Sequence, residues 1–130
     1  MQMDDQTTFA QVGIVTAIDA DNYRVKVWFP LLEKESDFIR VTSQYVGAGW
    51  GIVALPHVGQ EVLVVFANGE LNEGHVIGCS YSEGADAPPP SEEVAMVHES
   101  GSQFRFHANG DITLQATGIL TLKGTKVMIN

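Results

Sequence analysis

The chain has 130 residues, room for one ordinary domain or for a small domain with an appendage. Sixteen acidic residues against seven basic ones give a net charge of −9, which argues against a nucleic-acid or anionic-membrane surface, because binding of that kind needs clustered Lys and Arg. A single cysteine excludes an intramolecular disulfide framework, and no apolar run approaches the ~20 residues that a bilayer span requires.

Residues 1–8 are polar and acidic, carry no signal-peptide pattern, and read as a flexible N-terminal arm. β signals follow. Gln11–Asp19 is rich in β-branched residues, and Asp19–Asn22 is a turn cluster. Tyr23–Phe29 alternates, with Tyr23, Val25, Val27 and Phe29 on one face and Arg24 and Lys26 on the other; Pro30 ends it. After a charged loop over Leu31–Asp37, Phe38–Tyr45 reads as a third strand. Gly47–Gly49 is a flexible connection, then come Trp50–Leu55 and a turn at Pro56–Gly59. Glu61–Phe66 is nearly all apolar, as expected of a strand buried on both faces. Asn68-Gly69 marks a tight turn, and Gly74–Tyr81 closes the set, with Cys79 expected as a small buried hydrophobe. Short strands with glycine-marked turns and almost no helical periodicity predict an all-β fold, with a five-stranded OB-type barrel over residues 9–82. Gly13 and Gly78 would permit the curvature that closure demands.

Residues 83–92 contain Pro88-Pro89-Pro90 and read as a stiff extended linker. From Ser102 the chain counts in eights: SQFRFHAN, GDITLQAT, GILTLKGT and a truncated KVMIN. The third octad position is Phe104, Ile112, Leu120 and Met128; the fifth is Phe106, Leu114 and Leu122. The seventh is small, with Ala108, Ala116 and Gly124, and glycine opens two octads at Gly110 and Gly118. Period-two alternation means extended chain with one dry face, and the glycines Gly110, Gly118 and Gly124 supply corners. Met96, on an entering strand, falls in phase with the third position. So short a segment cannot cover its own apolar face. Either several copies wind round one axis as an intertwined trimeric β-helix or prism over residues 93–130, or the strands form a three-stranded meander packed on the N-terminal domain. The octad phase, kept through every corner, favours the prism. Its core would be Met96, Phe104, Phe106, Ala108, Ile112, Leu114, Ala116, Leu120, Leu122 and Met128.

No catalytic constellation is visible: no nucleophile elbow, phosphate-cradling loop or metal-ligand spacing. The carboxylate pairs Asp19/Asp21 and Glu33/Glu35 lie in polar turns where both members stay solvated, unlike a glycosidase pair. His107 sits on the polar face of its octad, which suits a solvated or inter-chain hydrogen-bonding role better than an axial metal. Trp28, Phe29, Tyr45 and Trp50 could be imagined as a base-stacking platform, but residues 1–81 carry ten acids against four bases, so core and interface packing is the better account.

The series Gly13-Ile-Val, Arg24-Val-Lys-Val-Trp-Phe-Pro30, Leu55-Pro-His-Val-Gly-Gln-Glu-Val-Leu-Val-Val-Phe-Ala-Asn-Gly69 and Gly74-His-Val-Ile-Gly78 resembles the OB-fold domain of the central spike of contractile injection systems. That group includes the phage baseplate assembly protein V family and the valine–glycine repeat spikes of type VI secretion. The resemblance implies a homotrimeric, non-enzymatic central spike of a contractile-tail baseplate that plugs the tail tube and pierces the target envelope. It implies synthesis in a bacterial cytoplasm and action in a virion or equivalent extracellular particle. Its partners would be a baseplate hub protein at the barrel end and a transiently contacted envelope, without nucleic acid. Some members carry a lysozyme-like domain between barrel and needle, for which the linker here is too short. Others hold an apical iron through paired histidines, and Lys126–Asn130 has none, so no metal or other cofactor carries over. A blunt face at Lys126, Val127, Met128, Ile129 and Asn130 would instead take a separate tip protein of the proline-alanine-alanine-arginine-repeat kind. The alternative function is an OB-fold module binding oligonucleotide or oligosaccharide, with a C-terminal trimerisation segment.

Overall fold

A computed structural model describes residues 9–90 and 92–130; the arm expected over residues 1–8 lies outside them. The chain divides into two compact units, the first ending at Ala85 and the second beginning at Asp86.

In the first unit, β1 (Ala10–Asp19), β2 (Arg24–Phe29), β4 (Ile39–Val41), β7 (Glu61–Phe66) and β8 (Gly74–Cys79) close a five-stranded barrel, the OB-type architecture that the strand pattern predicts. The short β3 (Lys34–Glu35) adds to the edge of β2. Closure depends on the length of β1. Its first half pairs with β7, from Ala10↔Val65 to Ile14↔Glu61, and its second half pairs with β2, from Ile14↔Trp28 to Asp19↔Arg24. The register shifts between Val15 and Ala17, a bulge that lets one strand bend between two partners. Gly13 lies two residues before the shift, paired with Val62. A Cβ there would run into the Val27 side chain and lie 2.9 Å from the Trp28 carbonyl oxygen, so only glycine fits. At Gly78 the space is open, and the curvature of β8 comes from a register shift between Leu63 and Val64 in its pairing with β7.

The alternation of β2 holds: Val25, Val27 and Phe29 are fully buried. They meet Val15, Ile39, Val62, Val64, Phe66, Leu71 and Val76 in one core, with the Phe29 and Phe66 ring centroids 5.2 Å apart. Ser36 is buried among them and fully bonded. Its Oγ accepts from Val27 N at 3.0 Å and donates to the Asp37 carbonyl at 2.7 Å.

Several expectations are corrected. Glu61–Phe66 is buried on one face only: Val62, Val64 and Phe66 point inward while Val65 is exposed, because a small closed barrel covers its strands from inside alone. Strand β4 stops at Val41; the Thr42 N–H completes its parallel pairing with the Val76 carbonyl at 2.9 Å, and the Thr42 hydroxyl donates to the same oxygen at 2.9 Å. Of Trp50–Leu55 only Trp50 and Gly51 are strand, as β6 (Trp50–Gly51), which pairs with β5 (Val46–Gly47) in a tight hairpin. The Trp50 ring occupies the place of a Gly47 side chain, and Gly51 has φ +146°. Cys79 is exposed, because the last three residues of β8 run past the core; partial desolvation still raises its thiol pKa. Of the four aromatics assigned to packing, Phe29 is core, whereas Trp28, Tyr45 and Trp50 are exposed in the single chain.

In the second unit, β9 (Val94–Val97), β10 (Gln103–Phe106) and β11 (Ile112–Gln115) form an antiparallel sheet in the order β11-β10-β9. Residues 116–130 carry no strand.

Candidate functional site

Register decides what this sheet displays. Met96 pairs with Phe104, and Phe104 with Leu114; Val94 pairs with Phe106, and Phe106 with Ile112. Direct cross-strand partners share a face, as do residues two apart on one strand. All six therefore stand on one side. The Phe104 and Phe106 rings lie edge to face with centroids 5.0 Å apart. This face is uncovered: Met96 is 74% exposed and Leu114 48%. Apolar character continues along the strandless segment through Leu120, Leu122 and Met128, all exposed, with Ala108 exposed and Ala116 half-buried. Every residue assigned to an apolar core is thus placed where a single chain leaves it at least partly open. An uncovered sheet face bearing six apolar side chains marks an interaction site.

Of the corner glycines, Gly110 turns the chain between β10 and β11 with φ +95°, its N–H bonded to the His107 carbonyl at 3.0 Å. Gly118 and Gly124 lie outside the left-handed region, Gly118 in open space and Gly124 near the backbone of Lys126. Lys126, Val127, Met128, Ile129 and Asn130 are exposed.

The opposite face holds a polar clamp. Arg105 is 7% exposed. Its Nε donates to Gln103 Oε1 at 2.9 Å, and its Nη1 lies 3.2 Å from Glu93 Oε1 and 3.5 Å from the Pro90 carbonyl. His107 bridges Glu93 Oε2 at 3.2 Å and Thr113 Oγ1 at 2.7 Å, and Ala108 N–H donates to the same Glu93 oxygen at 3.4 Å. Desolvation opposes the Glu93 charge, but the Ala108 N–H, the hydrogen bonds from His107 and Arg105, and the charge of His107 outweigh it and hold the carboxyl below the usual glutamate range. The expected solvated or inter-chain role of His107 is corrected: both ring nitrogens are engaged within the chain. The Arg105 clamp escapes a reading by alternation, which gives odd positions to solvent. One signal was available. The partners of Arg105 across the sheet are Ala95 and Thr113, small enough for a long side chain to lie over them.

Among the described residues no group of three or more His, Cys, Asp or Glu could hold a metal, and no helix is long and apolar enough to cross a membrane. The arrangement offers adhesion, with a rigid strand sheet whose polar side is locked and whose apolar side is open.

Residues 11–81 match the family described as the type VI secretion system/phage-baseplate injector OB domain. The chain is also similar to the type VI secretion system spike protein VgrG2a of Pseudomonas aeruginosa, 38% identical over 110 residues that cover 75% of this chain and 13% of that protein. The spike protein VgrG3 of Vibrio cholerae is 38% identical over 78 residues, 55% of this chain and 8% of that protein. The chain thus spans only 8–13% of the length of these curated relatives.

Proposed function

The chain belongs to the type VI secretion and phage-baseplate injector OB-domain family, and on that premise we propose that it is the structural central spike of a contractile-tail baseplate. It works as a homotrimer. The apolar faces of three copies turn inward to form an intertwined β-helix or prism, and the locked polar faces turn out. The barrels plug the tail tube and seat on the baseplate hub protein. The C-terminal face of Lys126–Asn130 takes a separate tip protein, and the needle transmits the force of contraction into the target envelope. The protein is not a catalyst, holds no cofactor, and binds no nucleic acid. It acts in a virion or an equivalent extracellular contractile particle after synthesis in a bacterial cytoplasm.

The observation that carries this reading is the bare apolar face of β9–β11, continued by Leu120 and Leu122, in a chain whose other half is an injector-family barrel. Interlocking suits a mechanical part, because a chain that shares its strands with two neighbours cannot peel away without breaking pairing on both sides. Sedimentation equilibrium of the full chain tests it. A species of three times the 14.1 kDa chain mass supports the spike, and a monomer at micromolar concentration rejects it.

One observation favours the second reading, an oligosaccharide- or oligonucleotide-binding module. Tyr45 and Trp50 are exposed, meet with ring centroids 4.9 Å apart and planes tilted by 54°, and border a cleft with Asp21, Tyr23 and Ser43. Quenching of Trp50 fluorescence by chito-oligosaccharides or oligothymidylate would support that module; unchanged emission leaves the spike alone.

A further inference from the structure

Three of the four basic residues in residues 1–81 crowd one side of the barrel. Arg24 on β2 pairs directly with Arg40 on β4, and Arg40 pairs directly with His75 on β8. The adjacent Val25, Ile39 and Val76 point into the core, so strand alternation puts Arg24, Arg40 and His75 on the outer face. Lys26 follows two residues after Arg24 on the same face, its ammonium 5.1 Å from the centre of the Phe38 ring.

Like charges placed directly across a sheet repel. Among the described residues nothing relieves them: neither arginine has an ion pair, and Arg24 gives one N–H to the Phe38 carbonyl at 3.4 Å. The row lines a cleft closed by Asn72, Glu73 and Gly74. Glu73 is the acid on that wall, and its carboxylate accepts from Asn68 Nδ2 at 3.3 Å rather than from either arginine. Asn72 Oδ1 accepts from Asp37 N at 2.8 Å, which leaves the amide N–H₂ of Asn72 as a further donor. Two guanidinium groups, an imidazole and an amide thus line one cleft in a chain of net charge −9.

We propose that this cleft binds a carboxylate-bearing segment of a partner protein. Guanidinium forks on adjacent strands, about 5 Å apart, match carboxylate oxygens two by two, and the charge-assisted bonds replace a repulsion with an attraction. Nucleic acid is the poorer fit: outside the cleft a polyanion meets the field of 16 acidic residues, whereas a short acidic segment does not have to cross it. The inference stands on the cleft itself and holds whether or not the spike reading does.

The test uses the full chain, a fluorescein-labelled hexaglutamate peptide and fluorescence anisotropy at low ionic strength. Wild type is expected to bind saturably. The double variant Arg24→Gln/Arg40→Gln should weaken binding by about tenfold or more, and the charge-matched control Lys34→Gln/Lys123→Gln should bind as wild type does. Inorganic phosphate should compete weakly and unlabelled hexaglutamate fully. Equal weakening in both double variants, tighter binding of an oligothymidylate than of the peptide, or no binding at all overturns the proposal. A second readout guards against a merely structural role. Without ligand, Arg40→Gln should keep or raise the melting temperature at low salt, since it removes a repulsion; a marked fall assigns Arg40 to the fold and also overturns it.

Discussion

Replacing Leu114 with Asp addresses the centre of the proposed trimer. Leu114 lies on the bare face at its β11 edge, paired with Phe104, which pairs in turn with Met96. In the single chain its side chain is 48% exposed, so about half of its burial remains to be gained on assembly. Full burial of a leucine is worth roughly 2 kcal/mol, which leaves ~1 kcal/mol per chain. Aspartate forfeits that and brings a carboxylate into a dry axis beside two copies of itself, at a further cost of at least ~2 kcal/mol per ion after relaxation or protonation. The total is about 9 kcal/mol per trimer, between six and seven powers of ten in the association constant. Because trimerisation depends on the square of monomer concentration, the midpoint concentration should move by roughly a thousandfold, from nanomolar to micromolar for example. Sedimentation velocity across a dilution series reads this directly. Gln115→Asp, one residue along on the other face, is the control and should leave the trimer in place. If Leu114→Asp stays trimeric with an unchanged melting temperature, the even positions do not face the axis and the reasoning fails.

Arg105→Ala should remove the guanidinium that joins Glu93 to Gln103 on the locked face, leaving Glu93 with His107 and the Ala108 N–H, and lower the melting temperature of the second unit read by circular dichroism. Since the Glu93 carboxyl is held below the ordinary glutamate value when folded, its stabilising contribution is present above about pH 4.3, the unfolded value, and is lost as pH falls through the lower folded value. Melting temperatures from pH 7 to pH 3 should therefore fall at the acid end in wild type and fall less in Glu93→Gln; parallel curves would reject the clamp. Gly13→Ala should cost at least ~2 kcal/mol in urea unfolding, because the new methyl meets Val27 and the Trp28 carbonyl on the packed neighbouring strand β2. A variant as stable as wild type would mean that the β1 bend relaxes freely.

Alternation in the sequence determined which side chains stand together. Val25, Val27 and Phe29 fell on one side of β2 and are the floor of the core; Met96, Phe104, Phe106, Ile112 and Leu114 fell on one side of the second sheet. It did not determine how far either side would be covered. Glu61–Phe66 is apolar on both faces, and only the closing of β1 onto β7 and of β7 onto β8 made Val62, Val64 and Phe66 the inner set. The same limit hid Arg105, polar by pattern yet buried, because its cover comes from Glu93 and Pro90, more than ten residues away along the chain. The row of Arg24, Arg40 and His75 was invisible for the same reason, since it exists only across β2, β4 and β8, with β4 and β8 running parallel. Periodicity is a local property of the backbone and can be read from consecutive residues. Pairing between distant strands is set by the joint packing of the whole barrel, and no short window of sequence contains it.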